Sequence, residues 1–150
     1  LLKDPLYQLY RYSYFLKKSE YYCNANNKIM YFLYRFKRNQ LGSKLGIEIW
    51  ENCFDSGLKI CHPGIVVNPS AKIGKNCLLH GNNCIGNDGD GQSNRVPIIG
   101  DNVEIGYGAT IIGNVKIANG VKIGAGAVVV DDCLAENSTL VGIPARNILK

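Results

Sequence analysis

From Val67 onward an aliphatic residue returns at every sixth position. Val67, Ile73, Leu79 and Ile85 anchor a first run; Ile99, Ile105, Ile111, Ile117, Ile123 and Val129 anchor a second after Pro97. A six-residue period does not keep one face of a helix that turns every ~3.6 residues. It does suit one short strand and one turn per hexad, with three hexads closing a triangular coil of about 18 residues. Such coils stack at ~4.8 Å through parallel ladder hydrogen bonds, with the anchors pointing inward. The fifth hexad position takes small apolar side chains: Ala71, Cys77, Val103, Ala109, Val115, Val121, Ala127 and Cys133. Glycine recurs at the second position (Gly74, Gly86, Gly100, Gly106, Gly124), which predicts a tight corner with torsions that glycine adopts freely.

The beat breaks once between the two runs. Ile85 and Ile99 lie 14 residues apart, one hexad plus eight. The excess, at 87–97, must leave the coil as a loop, and loops on a rigid solenoid commonly line binding sites. A disordered excursion fits the same Gly-, Asp- and Asn-rich composition. The Asp-Gly-Asp-Gly run there lacks the glutamate and flanking helices of a calcium-binding EF-hand.

Before the repeats the pattern changes. Pro5 to Lys18 and Lys28 to Lys44 read as two helices, with a polar break at Asn24-Ala25-Asn26-Asn27. In the second, Ile29, Phe32, Leu33 and Phe36 recur at three- and four-residue steps. Residues 1–46 hold nine Lys/Arg against two Asp/Glu, and eight of the nine tyrosines. The rest of the chain holds eight Lys/Arg and ten Asp/Glu, so the net charge of +5 sits in the head. The expected organisation is a basic, aromatic helical cap at 1–46 and a repeat body at 47–150. A cap covers an open end of a solenoid, and the same composition suits a membrane surface or an anionic ligand. The body supplies no basic face to match, so nucleic acid is not expected.

Length, at 150 residues, allows one domain with a real core. No apolar run is long enough to span a membrane, and the start lacks the order of a secretory signal. A cytoplasmic protein is expected, at the inner membrane surface if the head holds it there. The six cysteines form no CxxC pair and no Cys/His cluster. They read as reduced thiols, with Cys77 and Cys133 as core residues rather than metal ligands.

The hexads resemble those of the hexapeptide-repeat acyltransferases, specifically serine acetyltransferases and relatives that acetylate sugars of surface polysaccharides. The resemblance covers about residues 45–149. It rests on Gly57-Leu-Lys-Ile-Cys-His62-Pro-Gly-Ile-Val-Val, Ile105-Gly-Tyr-Gly-Ala-Thr-Ile-Ile-Gly-Asn, Lys122-Ile-Gly-Ala-Gly-Ala-Val-Val and Gly142-Ile-Pro-Ala-Arg146. It implies a left-handed parallel β-helix with a short helical N-terminal cap. It also implies a homotrimer with active sites between subunits, and acetyl-CoA as acyl donor with no metal. His62 matches the general base, for which imidazole suits because its pKa lies near working pH. Glu48, in Ile47-Glu48-Ile49, matches the carboxylate that orients that base, with Glu for Asp and one residue less spacing. A surface glutamate is the plainer reading of Glu48, and a buried structural histidine that of His62.

The resemblance further implies that Gly106, Gly108, Ala109, Gly124 and Ala125 line the pantetheine arm, while Lys122 and Arg146 lie near the nucleotide phosphates. Acceptor binding is expected of His80, Arg95 and Asp88. His80 follows His62 by 18 residues, so one full coil would place the two rings a layer apart if the frame holds; Ile60 to Val67 is seven residues rather than six, a one-residue slip beside His62. Serine-specific members carry Asp before the base and a histidine after the loop arginine; here stand Cys61 and Val96. These departures favour a sugar hydroxyl as acceptor. Serine O-acetylation, transfer to an amine and a non-enzymatic trimeric scaffold are the alternatives.

Overall fold

The computed structural model describes residues 4–89 and 95–148. Two helices open the chain. α1 (Pro5–Asn24) starts at Asp4, whose side chain accepts from the backbone N–H groups of Leu6 and Tyr7, with proline in the first turn. α2 (Lys28–Leu45) starts at Asn27, which accepts from the Met30 N–H. It ends at Gly46, left-handed at φ 63°. α1 runs on to Asn24 rather than stopping near Lys18 because its last turns are tied to the coil. Ser19 is fully buried and donates to the Leu16 carbonyl, and Glu20 accepts from the Asn52 N–H at 3.0 Å.

The helices dock on the first coil through Leu9, Tyr12, Leu16 and Leu41. The Tyr12 hydroxyl accepts from the Ile49 N–H at 3.2 Å, and burial pushes its pKa up to about 12. The apolar stripe of α2 does not face the core. Ile29, Phe32, Leu33 and Phe36 are exposed, and Arg38, Leu41 and Gly42 face inward instead. Gly42 is what allows this approach: a Cβ there would stand 2.5 Å from the Ile47 carbonyl oxygen. Arg38 is tolerated because Glu51 meets its guanidinium at 2.7 Å, both side chains nearly inaccessible to solvent. The two atoms lie in ion contact without hydrogen-bond alignment.

From Ile47 the chain winds into a three-faced parallel coil. The first face stacks Ile47–Glu48, Ile65–Val67, Cys84–Gly86, Thr110–Ile112 and Val128–Val129. The second stacks Lys72–Ile73, Ile98–Ile99 and Lys116–Ile117. The third stacks Lys59–Ile60, Leu78–Leu79, Glu104–Ile105, Lys122–Ile123 and Thr139–Gly142, closed by the antiparallel Ala145–Asn147. The expected anchors fall in register: Val67, Ile85, Ile111 and Val129 on one face, and Leu79, Ile105 and Ile123 on another, where Leu140 continues the column. The fifth-position residues are buried too. Cys77 is fully enclosed, and its thiol is pushed up to about 12 by burial.

The recurrent glycines have a different cause from the one expected. Gly74, Gly100 and Gly106 are not among the positive-φ residues; the left-handed corners are Asn76, Asn102 and Gly108, at the fourth hexad position. Gly74, Gly100 and Gly106 are needed because the backbone of the next coil lies too close, whereas a Cβ at Gly86 would meet nothing nearer than 3.6 Å. A Cβ at Gly106 would stand 2.6 Å from the Ala125 nitrogen, and one at Gly74 2.8 Å from the Asp101 nitrogen. No helix among the described residues is long and apolar enough to cross a membrane.

Arg38→Ala strands the Glu51 carboxylate in the interface and should cost about 3–5 kcal/mol in urea unfolding. Arg38→Met with Glu51→Leu should recover most of that loss. A single variant as stable as the parent chain would mean that the ion pair does not hold the cap.

Candidate active site

One corner of the coil, where the third face turns into the first, collects the candidate chemistry. Layer by layer it reads Cys61-His62-Pro63-Gly64, then His80-Gly81-Asn82-Asn83, then Gly106-Tyr107-Gly108-Ala109, then Gly124-Ala125-Gly126-Ala127. Backbone hydrogen bonds stitch the layers, from the Asn82 N–H to the Pro63 carbonyl, Gly108 to Gly81, and Gly126 to Tyr107. Asn83, 2% exposed, locks the second layer: its amide donates to the Gly106 carbonyl at 2.7 Å and its oxygen accepts from the Gly81 N–H.

His62 stands exposed at this corner. It lies directly over Gly81, where an added Cβ would come within 2.5 Å of the His62 Cβ. Ile60 pairs with Leu79, a step of 19 residues. The slip places Cys61 beside His80 and His62 over Gly81, so the two rings share an edge without being stacked one above the other. Because Gly81 carries no side chain, Tyr107 from the third layer reaches His62. Its ring meets the His62 ring edge-on, centroids 6.2 Å apart. Tyr107 is exposed and is the lone tyrosine outside the head.

His80 has a partner of its own. Its Nε2 lies 2.8 Å from Glu104 Oε1 on the outer surface of the third face. Glu48 accepts from the Trp50 indole N–H at 3.3 Å. No hydrogen bond or ion pair joins Glu48 to His62 among the described residues. The structure therefore brings a carboxylate to His80 and an aromatic edge to His62.

Further along the corner, Gly106, Gly108, Gly124, Ala125 and Gly126 leave the backbone bare, and a Cβ at Gly126 would meet nothing within 4 Å. This is an edge against which a thin chain of atoms can lie. Ala109 does not belong to it. The residue is fully buried with its methyl inside the coil, so a ligand-lining role there falls away. Lys122 is exposed beside Glu104 on the third face. Arg146, on the closing strand, donates to Asp131 at 2.7 Å. Both ends of this pair are exposed, so the guanidinium is free to exchange an anionic partner at small cost. At the loop, Arg95 and Asp88 form an ion pair of 2.9 Å across the base of the excursion. Asp90 and Asn94 of that loop lie outside the described residues.

Tyr107, Glu104 and Asn83 were not legible as site residues. In register, Glu104 lies under Leu78, a step of 26 residues made of one 18-residue coil plus the eight-residue excess, and His80 reaches it from two residues further on.

Residues 97–131 match the bacterial transferase hexapeptide (six repeats) family. The chain is 36% identical to the serine acetyltransferase of Synechococcus elongatus over 109 residues, covering 73% of this chain and 41% of that protein. The structure superposes on the crystal structure of Neisseria gonorrhoeae serine acetyltransferase with TM-score 0.76 at 30% identity, covering 95% of this chain and 55% of the other. A Brucella abortus serine acetyltransferase solved in complex with coenzyme A gives TM-score 0.76 at 26% identity, over 89% and 53%. The coil is accordingly a left-handed parallel β-helix. The chain spans about half the length of these relatives, or less.

Gly81→Ala tests the corner directly, since both its φ of +116° and the His62 contact oppose a methyl group. The His62 ring resonances should shift while those of His80, held by Glu104, stay. The cost in stability should be about 1–3 kcal/mol. An unmoved His62 signal would show that the corner has room.

Proposed function

We propose that this chain, which belongs to the hexapeptide-repeat transferases and has serine acetyltransferases as relatives, moves acetyl from acetyl-CoA to a hydroxyl group. The observation that carries the reading is the corner itself. An exposed imidazole stands at one end of an edge stripped of side chains, with basic residues at the far end. A pantetheine arm running along Gly106–Gly108 and Gly124–Gly126 would bring a thioester toward His62, with its phosphates toward Lys122 and Arg146.

In the reaction His62 takes the hydroxyl proton as the acceptor oxygen attacks the thioester carbonyl carbon. The tetrahedral intermediate collapses by breaking the carbon–sulfur bond. The departing thiolate recovers the proton from the His62 imidazolium, so an ester and free coenzyme A leave the site. Such proton transfers contribute about 10²–10⁴-fold. Tyr107 confines the ring from one side, which supports His62 rather than His80 as the base that meets substrate. Glu48 remains the carboxylate proposed to orient it, as a homotrimer packs neighbouring chains along this corner.

The relatives are serine acetyltransferases, and the Neisseria gonorrhoeae enzyme has also been solved in complex with serine. L-Serine is therefore the acceptor we put first, ahead of the sugar hydroxyl that the sequence favoured. The sugar reading stands second on one observation: Val96, in place of the resemblance's acceptor-side histidine, is 7% exposed and offers the site no polar group.

Thiol release from acetyl-CoA, followed with L-serine, amino sugars and neutral sugars, separates these readings. The expected result is release with a hydroxyl acceptor and a product cleaved by mild alkali. An alkali-stable amide would move the activity to amine transfer. No release with any acceptor, and no coenzyme A binding by calorimetry, would leave a non-enzymatic scaffold.

A further inference from the structure

The outward face of α2 has no role in the site described above. Ile29, Phe32, Leu33 and Phe36 are 82%, 62%, 43% and 60% exposed. At about 100° per residue they fill a single arc of the helix. The cations fall on the two shoulders of that arc. Lys37 and Lys44 lie on one side, Lys28 and Arg35 on the other. No acidic residue occurs anywhere in α2. The opposite side, with Arg38, Leu41 and Gly42, is already docked on the coil.

We propose that α2 is an interfacial helix that lies on an anionic lipid surface, its apolar arc among the acyl chains and its two rows of cations at the phosphates. Three observations select this occupant. The stripe is aromatic and aliphatic with polar shoulders, the section that an in-plane helix needs. The shoulders are uniformly positive, which complements a negative leaflet. A second copy of this chain is a poor occupant, because apposing two such faces brings like charges together on both sides. Phe32 and Phe36 are exposed and are not among the residues of the His62 corner, so losing them leaves acetyl transfer in solution unchanged.

Co-sedimentation of the intact protein with phosphatidylcholine vesicles, with and without phosphatidylglycerol, tests this. Binding is expected only with the anionic lipid, and it should weaken as salt rises. Phe32→Ser with Phe36→Ser should reduce binding at least about tenfold. Far-UV circular dichroism and coenzyme A affinity should stay as in the parent, since both side chains already face water. Lys28→Glu with Lys37→Glu should abolish binding while leaving the apolar arc intact. Absence of binding to anionic vesicles at low salt overturns the proposal. So does binding that survives the double serine variant. A parent protein that doubles its mass by light scattering, with the serine variant returning it to half, would assign the face to a second copy and overturn it equally.

Discussion

The backbone ladder that joins each coil to the next is the constraint on which the rest of the molecule depends. It holds successive layers at one strand spacing on all three faces, and at the corners it leaves no room for a side chain pointing along the stack. Gly74, Gly100 and Gly106 follow from that spacing rather than from their torsions. The same closeness keeps Gly106 bare on the candidate edge, while Gly108 and Gly126 are bare because their corners turn through left-handed torsions of φ 71° and 67°.

The regular part of this architecture was legible in the chain. Anchors such as Val67, Ile85, Ile111 and Val129 are the dominant apolar residues of their hexads, and burying them leaves one solution. The irregular part was legible only as irregularity. Ile60 to Val67 is seven residues rather than six, which marks a one-residue slip beside His62, but spacing alone does not say whether His62 then stands over His80 or over Gly81. The His80–Glu104 pair is hidden by the loop that separates its members in sequence. Tyr107 reads as an ordinary hexad residue until the bare Gly81 beneath His62 is seen. Ile29, Phe32, Leu33 and Phe36 have the spacing of a core stripe, yet the docking face went to Arg38, Leu41 and Gly42. A small residue and a buried ion pair gave the closer approach.

The division of labour between regular and irregular segments now has a physical form. The uninterrupted hexads from Gly106 onward make the bare edge suited to a long, thin substrate arm. The slip after Ile60 and the loop after Gly86 interrupt the beat, and at those interruptions stand His62 and the Asp88–Arg95 pair. A repeat can be translated along its axis without changing its surface, so a reaction centre requires a place where the translation fails. The similarity to serine acetyltransferases fits the edge more closely than the interruptions, where Cys61 and Val96 stand.

The central claim is that His62 is the proton acceptor at this corner. The most direct measurement is the rate of acetyl-CoA-dependent thiol release by His62→Asn, under saturating acceptor and with coenzyme A affinity measured in parallel. The account predicts unchanged affinity and a rate lower by about 10²–10⁴-fold. A variant that binds coenzyme A and turns over at the parent rate would contradict it.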